Sequence, residues 1–277
     1  MSQQSDAPAG AVSETYDVFA DAGATTALGG NIHVGYWTDE TRDLTLIEAT
    51  DRLTDLVAAR TAPAAGDHLL DVGCGNGHPA LRVAEAHDVR VTGINVNAQQ
   101  VAGATDLAKK SPAADRLDFR LADVRELPFE EGGFASAMAI ETLLHLADQT
   151  PALRELHRVV RPGGRLVIAD LCLREPFTGA DRELLEGMLD VYEIARISTV
   201  EEHREQLEAA GWEVLELTDI GEQVRPSFGH AAEAFRGLSG QLPDPQGAAQ
   251  LASAADLMET FGAHPQAGYA LITARRR

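Results

Sequence analysis

The chain has 277 residues and a formal charge of −20, from 23 basic and 43 acidic side chains; 44% of it is hydrophobic and 24% charged. That is ordinary globular composition, long enough for one large α/β domain or two small ones, so wholesale disorder is excluded. The negative field argues against nucleic acid or an anionic membrane as a partner, because the longest basic run is the closing Arg275-Arg276-Arg277.

The first 14 residues are polar and small, with no basic segment leading into an apolar one, so no signal peptide is expected. Nowhere do 18 apolar residues run together, which predicts no membrane-spanning helix and a cytoplasmic protein. From 44 to 60 the apolar residues Leu44, Leu46, Ile47, Leu53, Leu56 and Val57 recur at helical spacing. The period then shortens. Residues 68–72 (His-Leu-Leu-Asp-Val) read as a buried strand, 79–87 as a helix, 89–94 as a β-branched strand and 98–110 as a helix. Strands are expected at 117–121, 135–140 and 165–169, with a helix at 151–160 stopped by Pro162-Gly163-Gly164.

Strands alternating with helices at this spacing imply βαβ units, hence a doubly wound, mostly parallel α/β sheet covered on both faces. After Asp170 the rhythm breaks. A mostly helical stretch at 178–210 precedes a strand at 212–218, and another at 231–261 precedes a last strand at 268–274. The two late strands suit an antiparallel edge pair. The helical insertions are expected over the carboxyl ends of the strands, as lids and walls of a substrate pocket. Cys74 and Cys172 make no disulfide framework and no metal-ligand spacing, so no metal is expected.

The segment Leu69-Leu70-Asp71-Val72-Gly73-Cys74-Gly75-Asn76-Gly77 places three alternate glycines between a strand and a helix. Gly73 and Gly75 allow a sharp turn and close approach to a ligand. The spacing is G-x-G-x-G rather than the G-x-G-x-x-G that seats a pyrophosphate, and no G-x-x-x-x-G-K-[ST] occurs. Asp71, just before the loop, would repel phosphate and attract an ammonium group.

The segments LLDVGCGNG, LADVRELPF and VVRPGGRLVIAD, in this order, resemble the class I S-adenosylmethionine-dependent methyltransferases. The upstream phrase Gly29-Gly30-Asn31-Ile32-His33-Val34-Gly35-Tyr36-Trp37 is similar to the small-molecule O-methyltransferases of antibiotic tailoring, the rebeccamycin and erythromycin sugar type. The resemblance implies a single Rossmann-like methyltransferase domain over 1–277. Residues 1–60 would form an N-terminal helical lid, 61–175 the cofactor-binding core, and 176–277 the substrate-cap helices and last two strands. It implies S-adenosyl-L-methionine as cofactor, with Gly73 and Gly75 at its amino-acid part and Asp71 near the ammonium. Asn95 would serve the ribose, where many relatives carry an acid, with Gln100 sharing the task. Asp123 would meet the adenine amino group, with Val124 beside it. Ile140 and Glu141 would approach the sulfonium and the acceptor, and Tyr16, Tyr36 and Trp37 would belong to the lid, the first binding the cofactor and the last two facing the acceptor.

Methyl transfer to a hydroxyl needs alignment, exclusion of water and removal of one proton. A general base contributes about 10²–10⁴-fold, and histidine is its commonest source near neutrality. His145, just beyond the fourth strand, is the first candidate, against a plain loop histidine; Asp170, closing the fifth strand, is the second, against a cap. The acceptor is expected to be a small-molecule secondary metabolite, a glycoside or polyketide hydroxyl. C- or N-methylation and a cofactor-bound cyclisation without methyl transfer are the alternatives. A homodimer and a monomer are both compatible with the sequence.

Overall fold

Leu69 and Leu70 look to opposite sides of strand β1 (His68–Val72), and both are fully buried, which requires apolar layers on both faces of the sheet. The computed structural model describes residues 30–242 and 244–277, so Tyr16 lies outside the described residues. After β1 come α2 (His78–Ala86), β2 (Arg90–Asn95), α3 (Ala98–Ala108), β3 (Leu117–Leu121), β4 (Phe134–Ile140), α4 (Thr150–Val159) and β5 (Val160–Leu173); α1 (Leu46–Thr61) precedes β1. The cap then follows as α5 (Asp181–Val191), α6 (Val200–Ala209), β6 (Trp212–Asp219), α7 (Gly221–Val224), α8 (Pro226–Ser239) and α9 (Pro245–Ala263), closed by β7 (Ala267–Arg276).

The seven strands lie in the order β3-β2-β1-β4-β5-β7-β6. The first five are parallel to their neighbours; β7 inserts between β5 and β6 and runs antiparallel to both. This is the mixed, doubly wound sheet with an antiparallel edge that the alternation predicts. One apolar layer joins Leu53 and Val57 of α1 and Val83 of α2 to Leu69, Met138 and Val167. The other joins Leu153 and Leu156 of α4 and Trp212 to Leu70, Ala137 and Ile168. The strand order reverses between β1 and β4, the place where open α/β sheets leave a crevice beyond their carboxyl ends.

Three expected elements differ in outline. The stretch 178–210 is two helices, because Thr199 starts a new one with a capping box in which its side chain accepts from Glu202 N–H. Residues 231–261 likewise divide between α8 and α9, the second opened by Asp244, whose carboxylate accepts from the N–H groups of Gln246 and Gly247, and by Pro245. Pro162-Gly163-Gly164 does not end a helix so much as bulge a strand: Phe134 pairs with Val160 and Ser136 with Arg165, so residues 161–164 loop out, with Gly163 at φ +79°. Among the described residues no helix is long and apolar enough to cross a membrane, and both cysteines are buried free thiols.

Candidate active site

The chain leaves β1 through a loop in which Gly73, Gly75 and Gly77 have φ of +69°, +50° and +85°. Only glycine adopts these values without strain, and the bare backbone has neighbours where side chains would stand. A Cβ on Gly75 would come within 2.9 Å of Ile32 Cδ1, and one on Gly77 within 2.8 Å of Ala104 Cβ. Cys74 N–H donates to Ile94 O at 2.9 Å, tying the loop to β2. The loop forms one wall of a cavity of about 140 Å³.

Asp71 lines this cavity at 3% exposure, and its Oδ2 has no hydrogen-bond partner. Burial raises its carboxyl to about 7. A buried oxygen without a donor beside a bare glycine loop suits an ammonium group, so the residues fit the amino-acid end of S-adenosylmethionine. The same shift carries a stability cost. A carboxyl raised from 3.8 to about 7 contributes stability below its unfolded value that is lost as pH rises through its folded one. Asp71→Asn is therefore expected to raise the melting temperature of the ligand-free protein at pH 8 while weakening S-adenosylhomocysteine about tenfold or more. Differential scanning fluorimetry and titration calorimetry on the one variant check both signs.

At the adjoining strand tip, Asn95 Nδ2 donates to Gln100 Oε1 at 2.8 Å, and Asn97 N–H donates to Asn95 Oδ1 at 3.1 Å. The two amides expected to share the ribose are thus held together on the cavity wall. Asp123 lines the cavity beside the buried Val124, but Arg125 grips its carboxylate, Nη2 to Oδ2 at 2.7 Å and Nε to both oxygens at 3.1 Å. The Arg125 hydrogen bond holds the Asp123 carboxyl below its ordinary value.

The opposite end is built from β4. Beyond Ile140 the chain turns at Glu141, whose φ of +48° is in the left-handed region that non-glycine residues rarely enter. The turn puts the carboxylate under the segment 30–37, where Oε1 accepts from Val34 N–H at 2.9 Å and from Tyr269 Oη–H at 3.0 Å. Burial lifts Glu141 to about 7. Thr142 Oγ1 lies 2.9 Å from Val72 O and 3.0 Å from Ile140 O, stitching the tips of β1 and β4. One turn on, His145 Nδ1 is 2.8 Å from Glu193 O. A carbonyl only accepts, so Nδ1 carries the proton and the ring lone pair is on Nε2, the tautomer of a base. Burial depresses its pKa, which keeps the ring neutral at pH 7.

Segment 30–37 forms a strap over the cavity. Asn31 Nδ2 donates to Thr50 Oγ1 at 3.0 Å, Gly35 N–H to Ser227 Oγ at 2.8 Å, Tyr36 N–H to Ala49 O at 2.9 Å and Trp37 N–H to Gln223 O at 3.0 Å. His33 Nδ1–H donates to Val34 O at 2.8 Å, and Nε2 lies 3.2 Å from Thr54 Oγ1; burial lowers this ring to about 4.

Ten of the residues singled out in the sequence line this one cavity: Asp71, Gly73, Gly75, Asn95, Gln100, Asp123, Val124, Ile140, Glu141 and His145. Three do not. Asp170 is 1% exposed and off the cavity; its carboxylate accepts from Leu144 N–H and Leu171 N–H and so holds the turn that presents His145. Tyr36 packs on the core with Arg52 over its ring, and Trp37 is buried, donating from Nε1 to Leu44 O and stacking on His230. Neither reaches the cavity; its lid residues are Gly30, Asn31, Ile32 and His33 instead. Nor do helices α5–α9 contribute to its wall. Sequence reasoning passed over Ile32 and Thr142, the first because the aromatic residues in the same phrase drew the eye, the second because a hydroxyl after a strand end carries no distinctive signal.

Residues 70–168 match the family model described as a methyltransferase domain. The chain is 40% identical to 27-O-demethylrifamycin SV methyltransferase of Amycolatopsis mediterranei (strain S699), over 96% of each chain. It is 37% identical to an O-methyltransferase of Aspergillus sclerotiorum, again over 96% of each. Among solved structures it superposes on the [4+2]-cyclase SpnF with a TM-score of 0.81 and 35% identity, covering 96% of this chain and 95% of that one.

Proposed function

Because the chain belongs to the class I S-adenosylmethionine-dependent methyltransferases, we propose that it methylates a hydroxyl oxygen of a small-molecule secondary metabolite, a glycoside or polyketide. When bound, the cofactor supplies an electrophilic methyl group on a sulfonium. The carrying observation is that His145, as its Nδ1–H tautomer, lines the same cavity as the glycine loop and Asp71. Asp71 and the bare backbone of Gly73 and Gly75 hold the amino-acid end, and the Asn95–Gln100 pair meets the ribose. His145 accepts the hydroxyl proton at Nε2, with the Glu193 carbonyl stabilising the imidazolium that forms. Alignment under the strap and exclusion of water supply the larger share of the rate.

Two relatives similar over nearly their whole length and named for O-methylation support this reading. The likeness to a [4+2]-cyclase keeps a second outcome in view, in which the pocket steers a rearrangement without transfer. Incubation with methyl-deuterated S-adenosylmethionine and a panel of macrolactone, glycoside and phenol acceptors separates them by mass spectrometry. Label on a product oxygen is the expected result. Label on carbon or nitrogen, or a rearranged product without label, overturns it.

A further inference from the structure

The wall of the cavity carries three carboxylates, Asp71, Asp123 and Glu141, and among the described residues its only Lys or Arg is Arg125. That guanidinium is spent on Asp123. Arginines farther out are also matched: Arg82 with Asp51 and Asp55, Arg196 with Glu202, Arg225 with Glu222. Residues 1–41 contain no Lys or Arg side chain. Asp71 and Glu141 are thus two acids at different strand tips of one small cavity, and among the described residues no Lys or Arg is set against either.

Glu141 is the less expected of the two. Its left-handed backbone is sustained by a β4 exit that turns the carboxylate inward, and both described donors, Val34 N–H and Tyr269 Oη–H, converge on Oε1. Oε2 therefore keeps hydrogen-bonding and charge-pairing capacity in a cavity that His145 also lines. The groups around it do not compete for that role. From β7, Tyr269 is held well above its ordinary pKa by burial; from β5, Asp170 is held well above the carboxylate range by burial and by Glu141 itself. His145 and His33 are kept neutral by burial.

We infer that Glu141 forms a subsite for positive charge at the reacting end of the cavity and makes the protein prefer the sulfonium-bearing donor to the uncharged thioether left after transfer, an inference that rests on the cofactor reading above. A carboxylate and a unit positive charge attract strongly inside a cavity of low dielectric constant, and the desolvation of both offsets much of that gain. About tenfold in the ratio of dissociation constants is what survives such an offset. S-adenosylmethionine and S-adenosylhomocysteine share the ammonium and carboxylate, so Asp71 cancels from the ratio.

Titration calorimetry with these two ligands, in buffers of different ionisation enthalpy at pH 6, 7 and 8, tests the inference on the intact wild-type chain. At pH 7 the sulfonium ligand should release about half a proton more than the thioether, because a carboxyl titrating near 7 ionises to meet it. The affinity ratio should shift about tenfold towards the sulfonium ligand between pH 6 and pH 8. In Glu141→Gln, whose amide oxygen still accepts from Val34 and Tyr269, the ratio should lose its pH dependence and its preference while the thioether binds within threefold of wild type. Equal proton release for the two ligands in the wild type overturns the inference, even should the variant fail to fold. So does a ratio unchanged in Glu141→Gln. Failure of the wild type to bind either ligand strikes instead at the cofactor reading.

Discussion

Gly73→Ala is expected to weaken S-adenosylhomocysteine binding by at least about a hundredfold. The backbone there has φ +69°, where an L side chain costs about 1–2 kcal/mol. The new methyl would stand within 2.9 Å of Thr142 Cβ and closer still to its Oγ1. Thr142 cannot yield cheaply: its hydroxyl bridges Val72 O and Ile140 O, and its side chain lies on the cavity wall. Either the loop rises into the space the ligand needs, or the β1 and β4 tips come apart. Strain and displacement together amount to about 3 kcal/mol, which is about two decades in affinity. Calorimetry reads the loss directly. The double variant Gly73→Ala/Thr142→Ala should recover part of it, since the clashing hydroxyl is gone while the backbone strain remains. An affinity within threefold of wild type in the single variant would show that the loop does not cradle the ligand.

His145→Ala should lower kcat by about 10²–10⁴-fold and leave S-adenosylhomocysteine affinity within threefold of wild type. The ring acts as a base only when neutral, and burial depresses its pKa from 6.5. Wild-type kcat should therefore stay level through neutrality and fall only on the acid side of 6.5, a limb that the variant lacks. Stopped assays from pH 5 to 8.5 on both proteins supply the comparison. Full activity in the variant would point to an acceptor that needs no base, an enol carbon or an amine, and would remove His145 from the chemistry.

The sheet was legible because its strands are short apolar runs separated by helices at βαβ spacing, a pattern set by burial on both faces. Its turns were less so. Pro162-Gly163-Gly164 reads as a stop in any sequence, and whether the chain leaves the sheet there or bulges within it depends on the β4 partner that Arg165 finds. That Gly73, Gly75 and Asp71 would share one cavity was legible for a related reason: a strand end and the turn that follows it are local features. Glu141 and His145 follow from their position after a strand. Tyr36 and Trp37 lie off the described cavity lining: aromatic rings suit a core as well as a pocket, and the tertiary placement of α1, Gln223 and His230 packs them there. Asp170 stands in the right strand position, but its carboxylate is engaged by two main-chain N–H groups, a commitment that no local pattern announces.

From 34 to 37 the strap is gripped by four successive main-chain groups: the N–H groups of Val34, Gly35, Tyr36 and Trp37 reach Glu141, Ser227, Ala49 and Gln223. Anchors of that kind are indifferent to which side chain occupies the anchored position. Ile32, which lines the cavity, is thereby released from the duty of keeping the cover in place, whereas the rings and amides beside it, His33 to Thr54 and Asn31 to Thr50, are not. A substitution at this one position alters the cavity lining without unmaking the lid, so variation in pocket shape is decoupled there from the integrity of the cover.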